Sequence, residues 1–130
     1  MESAAALPSE IGVLVVDDEP VFVEMIEAML SAEEGIEVLA TAENGRVGVR
    51  LAAELDPDVI LMDVSMPIMN GIDATARIRE RDPDAQVLIL TGGTIAGDVD
   101  RARKAGASAY ITKDRISTDL IAEIRSLGTR

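Results

Sequence analysis

A chain of 130 residues, 48% of them apolar, can build one core of ordinary size, is too short for two, and is too apolar for disorder to dominate. Its formal net charge of -12 argues against direct nucleic-acid binding, because phosphate contacts need a basic face. Cysteine and histidine are both absent, which excludes disulfides, thiolate chemistry, imidazole-based triads and zinc sites; any metal must be held by oxygen, as Mg²⁺ prefers.

Residues 1–9 read as a flexible leader, without the basic start and apolar centre of a signal peptide. No apolar run approaches the roughly 18 residues of a membrane span, so a cytoplasmic protein without a membrane partner is expected. Ile11 to Val16 is a continuous apolar run, the signature of a strand buried on both faces. Pro20 suits a first helical turn capped by Asp18 or Glu19, and Phe22, Met25, Ile26, Met29 and Leu30 then recur at helical spacing until Gly35.

Ile36 to Thr41 predicts a second strand, followed by Asn44 as a cap and a helix with Val47, Leu51 and Leu55 on one face. Gly45 and Gly48 weaken that helix, at up to about 1 kcal/mol each against Ala. Asp58 to Met62 is a third strand, Asp63 to Gly71 a loop, and Ile72 to Arg81 a helix closed by Pro83. Val87 to Leu90 is the fourth strand, leading into the glycine-rich stretch Thr91 to Gly97 and a helix around Val99, Ala102 and Ala105 that Gly106 can cap. Ala109 to Thr112 is a short fifth strand before a helix with Ile116, Leu120, Ile121, Ile124 and Leu127 as its stripe. This alternation predicts a single doubly wound α/β domain, residues 10–128, with a five-stranded parallel sheet covered on both faces.

The apolar runs end in different chemistries: Asp17 and Asp18, Asp63, Thr91 and Lys113. Parallel strands would bring these to the carboxyl edge of the sheet, where open α/β sheets bind ligands. Taken singly, Asp17 and Asp18 fit a turn and a helix cap, Thr91 a strand residue, Lys113 a solvated amine and Tyr110 core filler. Taken together, three carboxylates at one edge call for a divalent cation, and Asp63 after so apolar a run is placed to be a metal ligand or a nucleophile.

The acidic pair, the segment LMDVSMPIMNGIDA around Asp63, Thr91, and AYITKD with Tyr110 and Lys113 resemble the receiver domain of two-component response regulators across nearly the whole chain. The resemblance implies a flavodoxin-like (βα)5 fold with strand order 2-1-3-4-5. It implies that Asp63 is the phosphoacceptor, and that Mg²⁺ is held by Asp18, Asp63 and the backbone carbonyl of Ser65, with Asp17 assisting through water. Lys113 would contact the phosphoryl group, Thr91 would move to hydrogen-bond it, and Tyr110 would turn inward as the switch. The phosphodonor would be a sensor histidine kinase or a small molecule; the domain would assist only its own phosphorylation and dephosphorylation, and is not otherwise an enzyme.

Asp114 follows Lys113 where most receivers have proline, as in receivers of the NarL type. That departure points to control of a C-terminal helix-turn-helix DNA-binding domain absent from this chain, with DNA reached only through it; a homodimer and a free-standing receiver module stay open. The stretch TGGTIAGD is richer in glycine than the usual start of that loop. A phosphatase of the haloacid-dehalogenase type is disfavoured, since it would place Asp-x-Asp after the first strand and carry a cap insertion.

Overall fold

In a computed structural model of the chain, residues 10–92 and 97–129 are described; the expected leader and residues 93–96 of the glycine-rich stretch lie outside them. Five parallel strands, β1 (Ile11–Val16), β2 (Ile36–Ala42), β3 (Val59–Asp63), β4 (Val87–Thr91) and β5 (Ala109–Thr112), form one sheet in the order β2-β1-β3-β4-β5. They alternate with helices α1 (Pro20–Ser31), α2 (Gly45–Leu55), α3 (Gly71–Arg81), α4 (Asp98–Lys104) and α5 (Ile116–Gly128), and a 3-10 turn over Lys113–Arg115 leads into α5. The doubly wound topology implied by the resemblance is therefore the one observed.

The continuous apolar runs are explained by two cores, one on each face of the sheet. Val13 and Val15 pack with Leu61, Leu88 and Leu90 against Ile26 and Leu30 of α1 and Ile116, Leu120 and Ile124 of α5. The alternate residues Leu14 and Val16 pack with Ile60, Met62 and Ile89 against Ala74 and Ile78 of α3 and Ala102 of α4, with α2 completing that layer. Side chains on a strand point to opposite faces in turn, so a strand covered twice needs apolar residues at every position. Burying each such Leu or Ile contributes about 1.5–3 kcal/mol.

Several local expectations are corrected. Met25 and Leu55 are 43% and 39% exposed, because the faces of α1 and α2 that meet the sheet are narrower than their apolar stripes. Glu19 occupies the N-cap position of α1 without a side-chain cap bond; instead the Asp17 carboxylate accepts the Glu19 N–H at 2.9 Å. The helix expected after Asn44 forms over Gly45–Leu55 despite its two glycines. A Cβ on Gly48 would press on the Val16 side chain at 3.0 Å, and one on Gly45 would collide with the Met69 carbonyl, so both permit close packing that propensity does not register. Tyr110 is not core filler either, being 49% exposed.

The β3–α3 loop carries local strain. Ile68 sits at φ 70° and is 74% exposed, while the Met69 N–H donates across it to the Pro67 carbonyl at 2.7 Å. This is a γ-turn around a β-branched residue, a conformation that costs on the order of 1 kcal/mol or more. Ile68→Asn is expected to stabilise the domain by about 1 kcal/mol in urea unfolding, since Asn tolerates the left-handed region. An unchanged or lowered midpoint would show that the turn carries no such strain.

Candidate functional site

The site is set by strand register. Val16 of β1 pairs with Met62 of β3, so the next residue on each strand, Asp17 and Asp63, emerges beside the other. These two strands flank the point where the chain switches from building one side of the sheet to building the other. One carboxylate oxygen from each of Asp17, Asp18 and Asp63 lies within 4.8 Å of the others; Asp17 and Asp63 are buried and Asp18 is exposed. Oxygen-only donors at this spacing suit a small hard cation.

Lys113 enters from the end of β5. Its Nζ lies 3.3 Å from Asp17 Oδ2, 3.4 Å from Asp63 Oδ1 and 3.4 Å from Glu19 Oε1, and 4.1 Å from the centre of the Phe22 ring. One ammonium thus serves three carboxylates, with Asp18 close by. Burial is the largest influence on the Asp63 carboxyl, and together with the Asp17 charge it outweighs Lys113 and raises the pKa to about 6. Burial also works to lower the Lys113 pKa, but the Asp63 and Asp17 carboxylates overcome it and hold it above the usual lysine value.

The floor of the site is fixed by α3. Asn70 caps that helix by accepting the Asp73 N–H at 2.9 Å, and the Gly71 N–H donates to the Val64 carbonyl at 2.8 Å. Gly71 lies so near the Asp63 carbonyl oxygen that a Cβ there would overlap it. The cap and the glycine were not identified by the sequence pattern, which started the helix one residue later.

Asp18, Asp63, Ser65, Thr91 and Lys113 all line one open pocket of about 390 Å³, together with Glu19, Val64, Gly92 and Asp98. Of the expected site residues, Asp17 joins them through its contacts with Lys113 and the other carboxylates, while Tyr110 stands apart. It lines a separate pocket between α4, β5 and α5 with Val99, Ala102 and Ala122. Three residues were missed as neighbours of this chemistry. Glu19 follows the acidic pair directly, which is a readable signal; Phe22 was absorbed into the core stripe of α1; and Asp98, buried and ion-paired with Arg101, had only its place at a helix start to mark it. Gly106 at φ 104° does end α4 as expected, donating to Arg103 while Ala107 donates to Ala102.

Among the described residues no helix is long and apolar enough to cross a membrane. Residues 13–125 match the response regulator receiver domain family. The chain is 36% identical over 117 residues to the transcriptional regulatory protein DegU of Brevibacillus brevis, covering 90% of this chain and 50% of the relative. It is 35% identical over 109 residues to the nitrate/nitrite response regulator protein NarL of Escherichia coli K12, covering 84% and 50%. The chain therefore spans about half the length of these relatives. A solved LuxR-family two-component response regulator from Aurantimonas sp. SI85-9A1 superposes with a TM-score of 0.87 at 32% identity, covering 93% of this chain and 86% of that one. With the sheet order, the acidic cluster and the lysine already in place, the match settles the classification: the chain belongs to the response regulator receiver domains of two-component systems.

Proposed function

We propose that the domain accepts a phosphoryl group on Asp63. The observation that carries this reading is the setting of that carboxylate: buried beside Asp17 and Asp18, with Lys113 as the only cation within ion-pair distance among the described residues. An Asp63 oxygen would attack the phosphorus of the donor in line; the P–O bond to the leaving group breaks, and that group departs with the bonding electron pair, as acetate when acetyl phosphate is the donor. Lys113, 3.4 Å from Asp63 Oδ1, would offer its charge to the transferring group.

The donor set fits Mg²⁺, which when bound would neutralise charge on the transferring oxygens. Asp18, Asp63 and the Ser65 backbone carbonyl are the proposed direct ligands, and Asp17 acts through water. Thr91 would take the phosphoryl group by its hydroxyl, and Tyr110, now outward, would turn inward with it, altering the surface formed by α4, β5 and α5. Differential contact between the two arrangements is what would shift the population. Lys113-Asp114, the likeness to DegU and NarL and the half-length match favour a NarL-like regulator, cytoplasmic, fed by a sensor histidine kinase and acting on DNA through an output domain outside this chain.

Incubation with acetyl phosphate and MgCl₂ should add about 80 Da, one phosphoryl group, and omission of Mg²⁺ should prevent it. Proton and metal compete for Asp63, so Mg²⁺ affinity is expected to fall about tenfold between about pH 7.5 and pH 5, as the pH drops through the raised pKa of about 6. Calorimetry at the two pH values checks this. Equal affinity at both would remove Asp63 from the ligand set.

A further inference from the structure

We infer that Phe22 is a positioning residue for Lys113, holding the ammonium at Asp63 by the face of its ring; the catalytic part of this inference rests on the phosphoacceptor reading above. Lysine reaches its charge through a four-carbon stem with free rotation, so a lysine that must meet a developing charge at one oxygen needs restraint. At this site the three carboxylates contact Nζ at 3.3–3.4 Å, and the ring of Phe22 contacts it at 4.1 Å from the centroid. Glu19 is a poor restraint, because its side chain is 67% exposed and its charge is screened by solvent.

Asp17 and Asp63 are poor restraints for a different reason. Their pull on the ammonium changes whenever a cation or a phosphoryl group alters the charge around them. The ring quadrupole does not change with those events. Phe22 is half-buried on α1 and packs against the same core as Ile26 and Leu30, so the ring is itself held in place. It is the only phenylalanine in the chain, and Tyr110, the one other aromatic, lines a different pocket. An aliphatic residue of similar size would fill the core equally well and offer no attraction to a cation, so the ring is more than filler at this position.

The protein suits a direct test, since Lys104 and Lys113 are its only lysines and the ε-methylene region of its NMR spectrum contains two residues to assign. In the parent, without metal or phosphodonor, the Lys113 ε-methylene protons are expected upfield of those of Lys104 through the ring current of Phe22. Phe22→Leu should abolish that displacement and slow phosphoryl uptake from acetyl phosphate with MgCl₂ by about three- to tenfold, while leaving Mg²⁺ affinity within about twofold. Phe22→Tyr, which keeps the ring, should restore both signals.

A Phe22→Leu protein that reacts at the parent rate, a Phe22→Tyr protein as slow as Phe22→Leu, or a slowing in Phe22→Leu that comes with an equal loss of Mg²⁺ affinity, as a purely structural loss would give, would overturn the inference. If the parent takes up no phosphoryl group, the phosphoacceptor reading fails and the lysine spectrum decides the positioning by itself. A displaced Lys113 signal in the parent, together with ε-methylene relaxation that shows the lysine stem more mobile in Phe22→Leu, then supports it. An undisplaced signal in the parent overturns it without recourse to any variant.

Discussion

Asp63→Asn is expected to abolish phosphoryl uptake and, in the metal-free protein near neutral pH and above, to make the fold more stable. The first follows from loss of the nucleophilic carboxylate and the second from loss of a buried charge. The folded protein raises the Asp63 pKa from 3.8 to about 6, chiefly by burial and by the Asp17 charge, so the native state binds this proton more tightly than the unfolded chain does. The favourable contribution of the protonated carboxyl is full below about pH 4, is lost as the pH rises through about 6, and is gone above it. About two pKa units correspond to at most about 3 kcal/mol. Asn is the same size and carries no charge, so urea unfolding at about pH 8 without Mg²⁺ should show Asp63→Asn more stable by up to that amount, with the difference vanishing towards about pH 4. Adding MgCl₂ should stabilise the parent and narrow the gap. A variant less stable than the parent at every pH would mean that the Lys113 ion pair outweighs the burial and the neighbouring charges.

Gly71→Ala is expected to destabilise the domain by about 3 kcal/mol and to weaken Mg²⁺ binding with it. Helix propensity alone predicts the opposite sign, since Gly71 begins α3 and Ala is the better helix former by about 1 kcal/mol. The geometry decides the matter. A methyl group at this position would overlap the backbone carbonyl oxygen of Asp63, which belongs to the end of a strand buried at every position and has little room to yield. Relief must come either from shifting α3 off the sheet, away from the Val64 carbonyl that accepts the Gly71 N–H, or from moving Asp63. Thermal unfolding together with Mg²⁺ calorimetry separates these responses. A stability equal to or above that of the parent would refute the close packing of α3 on the site.

Which parts of this arrangement could be read in the amino-acid sequence follows from the range of the forces involved. Runs such as VLVV and VILM announce doubly covered strands because every residue of such a strand must be apolar, and a polar residue directly after each run must emerge at the sheet edge. That is why the sequence alone places Asp17, Asp18, Asp63, Thr91 and Lys113 at one sheet edge, the edge where the structure has them. The strand order itself came from the resemblance; alternation alone fixes parallel strands but not their sequence across the sheet.

What stayed hidden depends on packing between distant segments. The Phe22 ring and the Lys113 ammonium are 91 positions apart, and a helical stripe gives Phe22 no mark that separates it from Ile26. Gly45 and Gly48 look like helix breakers until Met69 and Val16 are known to press against them. The outward Tyr110 depends on the tertiary setting of a four-residue strand, and a lone aromatic carries no periodicity from which to read it.

The central claim, that the buried carboxylate at the end of β3 is the phosphoacceptor, is tested most directly by locating the modification. After incubation with acetyl phosphate and MgCl₂, fragment mass spectrometry of the intact chain should place a single gain of about 80 Da on Asp63, with none in a sample lacking Mg²⁺. A phosphoryl group found on Asp17, Asp18, Ser65 or Thr91, or uptake that persists in Asp63→Asn, would contradict the account.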